Sequence, residues 1–249
     1  MGKTAIITGG GSGLGQSAAL RLADEGINIA VVDVSEKGGN ETVEKLKAKG
    51  VDATFIKADV SKAEEVKNYV DKTLEHFGSI DYFFNNAGIS GSGKNFLETD
   101  IQEIDQIVGI NLLGALYGLR YVAEVMVKNG GGSIVNTASS AGVTGQATVV
   151  TYGATKHGIV GMTKSLVAEY AKDGLRVNAI EPGPTETPMV KKYFEDNPEM
   201  KESAEAGIPQ KRLGTPEEVA ELVAFLLTSK AQYINGDTIR IDGGFTNTK

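Results

Sequence analysis

Two side chains in the stretch "TYGATKHG" carry the first spacing that could do chemistry: Tyr152 and Lys156 stand four residues apart. At that separation both share one face of a helix. A phenol titrates near pH 10 and is a poor base at neutrality, while an adjacent ammonium favours phenolate and brings proton exchange into range, roughly as general acid–base work requires. Tyr/Lys pairs at this spacing also decorate ordinary helix surfaces, so the neighbourhood has to choose. Ser139, in "NTASSAG", precedes the tyrosine by thirteen residues and has a hydroxyl suited to holding a carbonyl or alcohol oxygen; Ser140 competes for that role. Asn111 places an amide in the apolar run "IVGINLLGALYG". A polar group there needs a partner, and it either holds a water linked to Lys156 or simply satisfies the core.

Other chemistries lack their residues. The chain of 249 residues has no cysteine, so thiolate nucleophiles and disulfides are excluded and redox work needs a borrowed cofactor. His76 and His157 are the only histidines, no His/carboxylate cluster has ligand spacing, and no metal is expected. The formal charge of −7 and the lack of a basic block argue against nucleic acid as partner. No run of eighteen uninterrupted apolar residues points to a membrane, and the N-terminal "MGKTAIITGGGSG" does not read as a signal peptide, so a cytoplasmic setting is expected.

The elements that position these residues follow from periodicity. Strand candidates recur at residues 3–7, 27–33, "DATFIKADV", "SIDYFFNN", "SIVNTA", "RVNAI" and "GDTIRIDGG", separated by helical patterns at 14–25, 37–49, 64–77, 100–128, 151–172 and 216–227. Such alternation predicts an α/β fold: about seven strands in a doubly wound parallel sheet with helices on both faces. No linker interrupts it, so residues 1–249 read as a single domain with a substrate flap around 186–214, a connection long for a compact α/β unit.

"TGGGSGLG" joins the first strand to the first helix and brings glycines 9, 13 and 15 together as GxxxGxG. Backbone without Cβ atoms permits a tight turn and lets pyrophosphate approach helix N-terminal amides, which makes Gly9, Ser12, Gly13, Leu14 and Gly15 candidate dinucleotide contacts. A plain tight turn has the same look, and a P-loop is the weaker alternative because no Lys-Ser/Thr pair follows. Asp33 ends the second strand about twenty residues beyond, where a carboxylate accepts from adenosine ribose hydroxyls and repels a 2′-phosphate. With neither Ser12 nor Val34 basic, NAD(H) is favoured over NADP; a helix-capping aspartate is the plainer reading. Asp59 and Val60 follow the third strand as candidate adenine contacts, or as a surface turn. Asn86, Ala87 and Gly88 in "NNAG" let a dinucleotide pass close to the backbone, or merely turn the chain.

Taken together, "TGGGSGLG", "NNAG", Asn111, a serine thirteen residues before the tyrosine, "YGATK" and the "PG" after "RVNAI" resemble the short-chain dehydrogenase/reductase family over essentially the whole length. The resemblance implies a Rossmann-type fold and a reversible alcohol–ketone interconversion with NAD(H). It makes Ser139 the substrate-orienting group, Tyr152 the acid/base, Lys156 the residue that lowers its pKa and binds ribose, and Asn111 the support of a proton relay. It also implies that Pro182, Gly183 and Thr187 orient the nicotinamide, and that the protein is a homotetramer or homodimer. Glu181 departs from the small or aliphatic residue many members carry before that Pro-Gly. The phrases "VVDVS", "FFNNAGI" and "KHGIVGMT" look similar to bacterial reductases of cyclic diketones of the levodione reductase kind, implying a small, cyclic or hydrophobic alcohol or ketone substrate. Candidate pocket walls are Ala141, Val143, Gln146, Val149, Pro184, Met189, Val190 and Phe194. A 3-oxoacyl-carrier-protein reductase, a sugar or polyol dehydrogenase, and an inactive dinucleotide-binding regulator remain as alternatives.

Overall fold

The apolar runs become strands because both of their faces find cover. β1 (Thr4–Thr8) is buried at all positions and β5 (Gly132–Thr137) at every position after Gly132, as expected of a sheet with helices on both sides. The structure, a computed structural model, describes residues 2–196 and 198–247; the side chains of residues 189, 192, 193, 196 and 198–200 lie outside that description. β2 (Asn28–Asp33), β3 (Ala53–Lys57), β4 (Tyr82–Asn85), β6 (Leu175–Pro182) and β7 (Thr238–Ile241) complete a seven-stranded sheet in the order β3-β2-β1-β4-β5-β6-β7. Every pairing is parallel.

Helices α1 (Gly13–Ala23), α2 (Glu36–Ala48) and α9 (Pro216–Leu227) pack on one face through Ala18, Leu22, Val43, Leu46, Val223 and Leu227. On the other lie α3 (Ala63–Phe77), α4 (Ile101–Val108), α5 (Gly114–Lys128) and α6 (Val150–Tyr170), where Val66, Tyr69, Val122 and Met126 meet Phe83 and Ile134. α9 starts where its sequence says it should. Thr215 and Glu218 form a reciprocal capping box with Pro216 in the first turn.

The helix expected over 100–128 is continuous but not uniform. Gly109–Leu113 forms one π-helical turn between α4 and α5, and Asn111 sits within it, the kind of bulge that often marks a functional position. The whole stretch Ile101–Lys128 is apolar and long enough to cross a membrane by length and composition. Here that apolarity is used on the sheet, with Leu119, Val122, Ala123 and Met126 buried while Arg120, Glu124 and Lys128 carry surface ion pairs. In the 186–214 connection, α7 (Pro188–Asp196) and α8 (Pro198–Ala206) fold as two short helices. Its ends are closed by a bridge between Thr185 and Gly214.

All strands point the same way, so Thr8, Asp33, Asn85, Thr137 and Pro182 end along one rim. Sequential order reverses between β1 and β4, and ligands in such sheets settle outside the strand C-termini at that crevice.

Candidate active site

The glycine turn leaves no choice of residue at its tightest point. Gly9 and Gly13 adopt φ of 65° and 52°, and a Cβ on Gly15 would stand 2.1 Å from the Gly9 carbonyl oxygen. Side chains are barred at Gly15 and disfavoured at Gly9 and Gly13, leaving stretches of bare backbone of the kind a pyrophosphate needs. Ser12 is exposed at the N-cap and Leu14 turns inward against the core. Across the cleft, Thr187 lies 3.5 Å from the point a Cβ on Gly13 would occupy. The Pro182–Thr187 segment therefore faces the glycine turn.

Asp33 is anchored through both carboxylate oxygens. One accepts from the Gly11 amide at 2.9 Å, the other from the Ser35 amide at 2.8 Å. Each oxygen keeps further acceptor capacity, which suits a vicinal diol. Asp59 takes Ser61 into a local turn through its amide and hydroxyl, at 2.9 and 2.7 Å, and Val60 packs where a Cβ on Gly114 would have to be.

The "NNAG" loop is held by a residue the sequence reading passed over. Thr8 Oγ1 accepts from the amides of Asn86 and Ala87 at 2.9 and 3.1 Å, while Asn86 Nδ2 donates to the Thr8 carbonyl at 3.0 Å. Thr137 Oγ1 ties Asn86 to β5 at 3.1 Å. Below it, Asn85 Nδ2 donates to Asn136 and to the Ala115 carbonyl, and Asn136 donates to Thr163, all within 3.0 Å and buried. These amides in apolar strands were the signal that could have exposed the network, since a buried amide calls for partners. Gly88 passes next to the catalytic candidates: a Cβ there would lie 3.2 Å from Asn111 Oδ1 and 3.7 Å from Lys156 Nζ.

Asn111 is fully buried and bonds both ways with Ile89, its Oδ1 accepting from the amide and its Nδ2 donating to the carbonyl, each at 2.8 Å. Thr155 Oγ1 lies 3.5 Å from the same Nδ2 and donates to the Tyr152 carbonyl at 2.7 Å. Core satisfaction and proximity to Lys156 thus coexist.

Lys156 Nζ donates to the Thr137 carbonyl at 2.7 Å and stands 5.4 Å from the centroid of the Tyr152 ring. Burial brings its pKa down to about 8. The ammonium thus lies against the face of the Tyr152 ring. Burial pushes the phenol up, and a hydrogen bond with Ser139 partly offsets it.

Ser139 and Ser140 separate cleanly. Ser139, two residues past the end of β5 and extended in backbone, accepts from the Ala141 amide at 3.2 Å and reaches Tyr152. Ser140 instead accepts from Gln146 Nε2 at 3.2 Å. His157 is exposed, with Nδ1 2.9 Å from the Gly153 carbonyl. Glu181 is shielded from solvent and pairs with Arg240 at 3.1 Å.

Four of the expected pocket walls line three different cavities. Val149 joins Tyr152, Phe96 and Ile107 in a narrow cleft. Val190 and Phe194 line a separate cavity of 290 Å³ with Lys191, Lys201 and Leu213. Pro184 lines a third, of 380 Å³, beside Arg212 and Arg240. The Met189 side chain lies outside the described residues.

Residues 9–246 match a family profile described as enoyl-(acyl carrier protein) reductase. The chain is 43% identical over 251 residues to levodione reductase of Leifsonia aquatica, covering 97% of this chain and 93% of that protein. It is 38% identical to cyclohexanol dehydrogenase of Acinetobacter sp. strain SE19, covering 98% and 95%. Among solved structures, NAD+-bound xylitol dehydrogenase superposes with a TM-score of 0.93 at 32% identity, covering 97% of this chain and 98% of that one.

Proposed function

The chain belongs to the short-chain dehydrogenase/reductase family, nicotinamide-dependent oxidoreductases that interconvert alcohols and ketones, and from that premise we propose that its substrate is a small cyclic or hydrophobic secondary alcohol and its ketone. The observation that carries the proposal is the convergence of Ser139, Tyr152 and Lys156 at the strand ends, across from a cradle that admits no side chain at Gly15. When bound, the dinucleotide accepts hydride from the carbinol carbon in oxidation and returns it in reduction.

The side chains do the rest. Ser139 holds the substrate oxygen by hydrogen bonding, within reach of Tyr152. In reduction the neutral phenol of Tyr152 gives that oxygen its proton; in oxidation the phenolate takes it away. Lys156, fixed by the Thr137 carbonyl, supplies positive charge beside the ring and would hydrogen-bond the nicotinamide ribose. Asn111 keeps the Ile89 loop in place and sustains the proton path next to Lys156. Asp33 accepts the adenosine ribose hydroxyls and favours NAD(H), with Gly9, Ser12, Gly13, Leu14 and Gly15 at the pyrophosphate, Asp59 and Val60 at the adenine, and Asn86, Ala87 and Gly88 beneath the dinucleotide. Pro182, Gly183 and Thr187 orient the nicotinamide.

The names of two relatives, levodione reductase and cyclohexanol dehydrogenase, favour a six-membered ring; the xylitol dehydrogenase likeness keeps a polyol as the second reading. We place the enzyme in the cytoplasm as a homotetramer whose subunits meet along α5 and α6. A panel of cyclic ketones, diketones, oxoesters and polyols, each with NADH and with NADPH, tests the assignment. Turnover of a cyclic ketone with NADH is expected, and Tyr152→Phe should lower kcat by roughly 10²–10⁴ while still binding NADH. Wild-type turnover in that variant would defeat the mechanism, and a preference for NADPH would defeat the role of Asp33.

A further inference from the structure

Glu181 is a buried carboxylate with no part in the mechanism proposed above. It is 2% exposed and sits on β6 directly before the Pro182–Gly183 turn. Its register partner on β7 is Arg240, so both side chains leave the sheet on the same face. Arg240 Nε meets Glu181 Oε2 at 3.1 Å, and its Nη1 donates to Asn247 Oδ1 at 2.8 Å. The next register pair is Pro182 with Ile241, and the Gly183 amide extends the ladder to the Ile241 carbonyl at 3.0 Å.

The turn then rests on the C-terminal segment. A Cβ on Gly183 would stand 2.7 Å from the Asp242 Cα. Asp242 in turn accepts from the Gly244 and Thr246 amides, each at 2.9 Å, and from the Thr246 hydroxyl at 2.7 Å. β7 has four residues and lies at the sheet edge, paired with β6 alone. Short edge strands lack a second neighbour to fix them, so a cross-strand tie at the end of β7 sets where the turn sits.

Stability is a poor reason to place a carboxylate there. Burial pushes the Glu181 pKa up, Arg240 opposes that, and Asp242 and Asp237 add to it. Replacing both partners of a buried ion pair by uncharged groups often costs little, and removing one is costly chiefly when it leaves the other charge buried and unpaired. Arg240 keeps about half of its side chain in water, so loss of its partner strands no buried cation.

We propose that the Glu181–Arg240 pair is a positioning element that sets the Pro182–Gly183 turn, and through it the affinity for the nicotinamide end of the cofactor. The inference rests on the reading above that puts the nicotinamide against Pro182, Gly183 and Thr187. Thr187 facing Gly13 at 3.5 Å is the geometric link, since it makes this turn the far wall of the dinucleotide cleft.

The test compares two ligands that share the adenosine half. NADH carries the nicotinamide; ADP-ribose does not. In Glu181→Gln, the Kd for NADH, followed by its fluorescence, should rise about five- to tenfold, as loss of a charge-assisted contact allows. The Kd for ADP-ribose, by competition, should stay within about twofold, and the melting midpoint should not fall. Arg240→Gln should show the same selective loss, and Arg240→Lys, which keeps a cation opposite Glu181, should recover most of the affinity. Equal weakening of both ligands, or no weakening of either, would overturn the proposal. So would a Glu181→Gln chain that melts well below the wild type, because the pair would then be a folding contact. These binding readouts need no substrate: a wild type that binds NADH but turns over no ketone defeats the proposed function alone.

Discussion

A lysine at about pKa 8 is a cost that the fold carries for the sake of the site. Lys156 is buried, and its pKa lies below the ordinary 10.5 because burial disfavours the ammonium. The folded state therefore releases its proton before the unfolded state does. Between pH 8 and 10.5 the unfolded chain binds the extra proton, so stability from this group rises with pH across that window and is lowest below it. Replacing the charge with an apolar chain of similar length removes the penalty, while the Thr137 carbonyl loses its donor. Lys156→Met should accordingly be more stable than the wild type near pH 7, by about 1–3 kcal/mol after that loss, and inactive. Denaturant melts from pH 7 to 10.5 check the sign: the gap must close as the pH rises. A gap that widens would mean the ammonium is stabilised in the folded protein.

The βα turn from Gly9 to Gly15 is decided at the level of an element, because its geometry belongs to the junction of β1 with α1. A methyl group on Gly15 meets the Gly9 carbonyl at 2.1 Å, well inside contact distance, and backbone cannot swing aside as a long side chain does. Gly15→Ala should therefore displace the start of α1 and weaken NADH binding by at least about tenfold, with a stability loss of roughly 1–3 kcal/mol. Fluorescence titration and a thermal melt read both. Gly145 makes the control, since nothing lies within 4 Å of a Cβ placed there. Gly145→Ala should leave NADH binding within about twofold of the wild type, as surface substitutions usually do.

At the scale of the whole molecule, the outer faces of α5 and α6 leave an apolar groove of 590 Å³. Leu116, Val127, Met162 and Leu166 line it, with Arg120, Glu124 and Lys128 at its rim. Leu116 is 40% exposed, and Leu113 beside it 38%; an apolar surface edged by charges is the usual anatomy of a protein–protein contact. The proposed tetramer would cover it. Leu116→Glu puts a carboxylate into the contact and should shift the sedimentation coefficient toward a smaller assembly at micromolar concentration. The fold should survive, because this side chain is only half-buried in the subunit. An unchanged assembly would move the subunit contact elsewhere.

The parallel α/β layering was legible because its signal is local: each apolar strand run and each helical period is written in a few consecutive residues. α9 shows this best, with Thr215, Pro216 and Glu218 marking a start that the structure keeps. The candidate site residues were named from spacing and resemblance; Ser139, Tyr152 and Lys156 lie together beyond the end of β5, and Asp33 ends β2. Tertiary structure alone decided what depends on contacts between distant segments. It paired Ser140 with Gln146, and through burial it moved the Tyr152 pKa up and the Lys156 pKa down. It turned one helix into two joined by a π turn at Asn111. It also found partners for the groups the sequence left open, Thr8 for the "NNAG" loop and Arg240 for Glu181. Residue type and order fixed which groups were available for the chemistry. Their protonation and their partners follow from desolvation and long-range packing, and those exist only once the chain has folded.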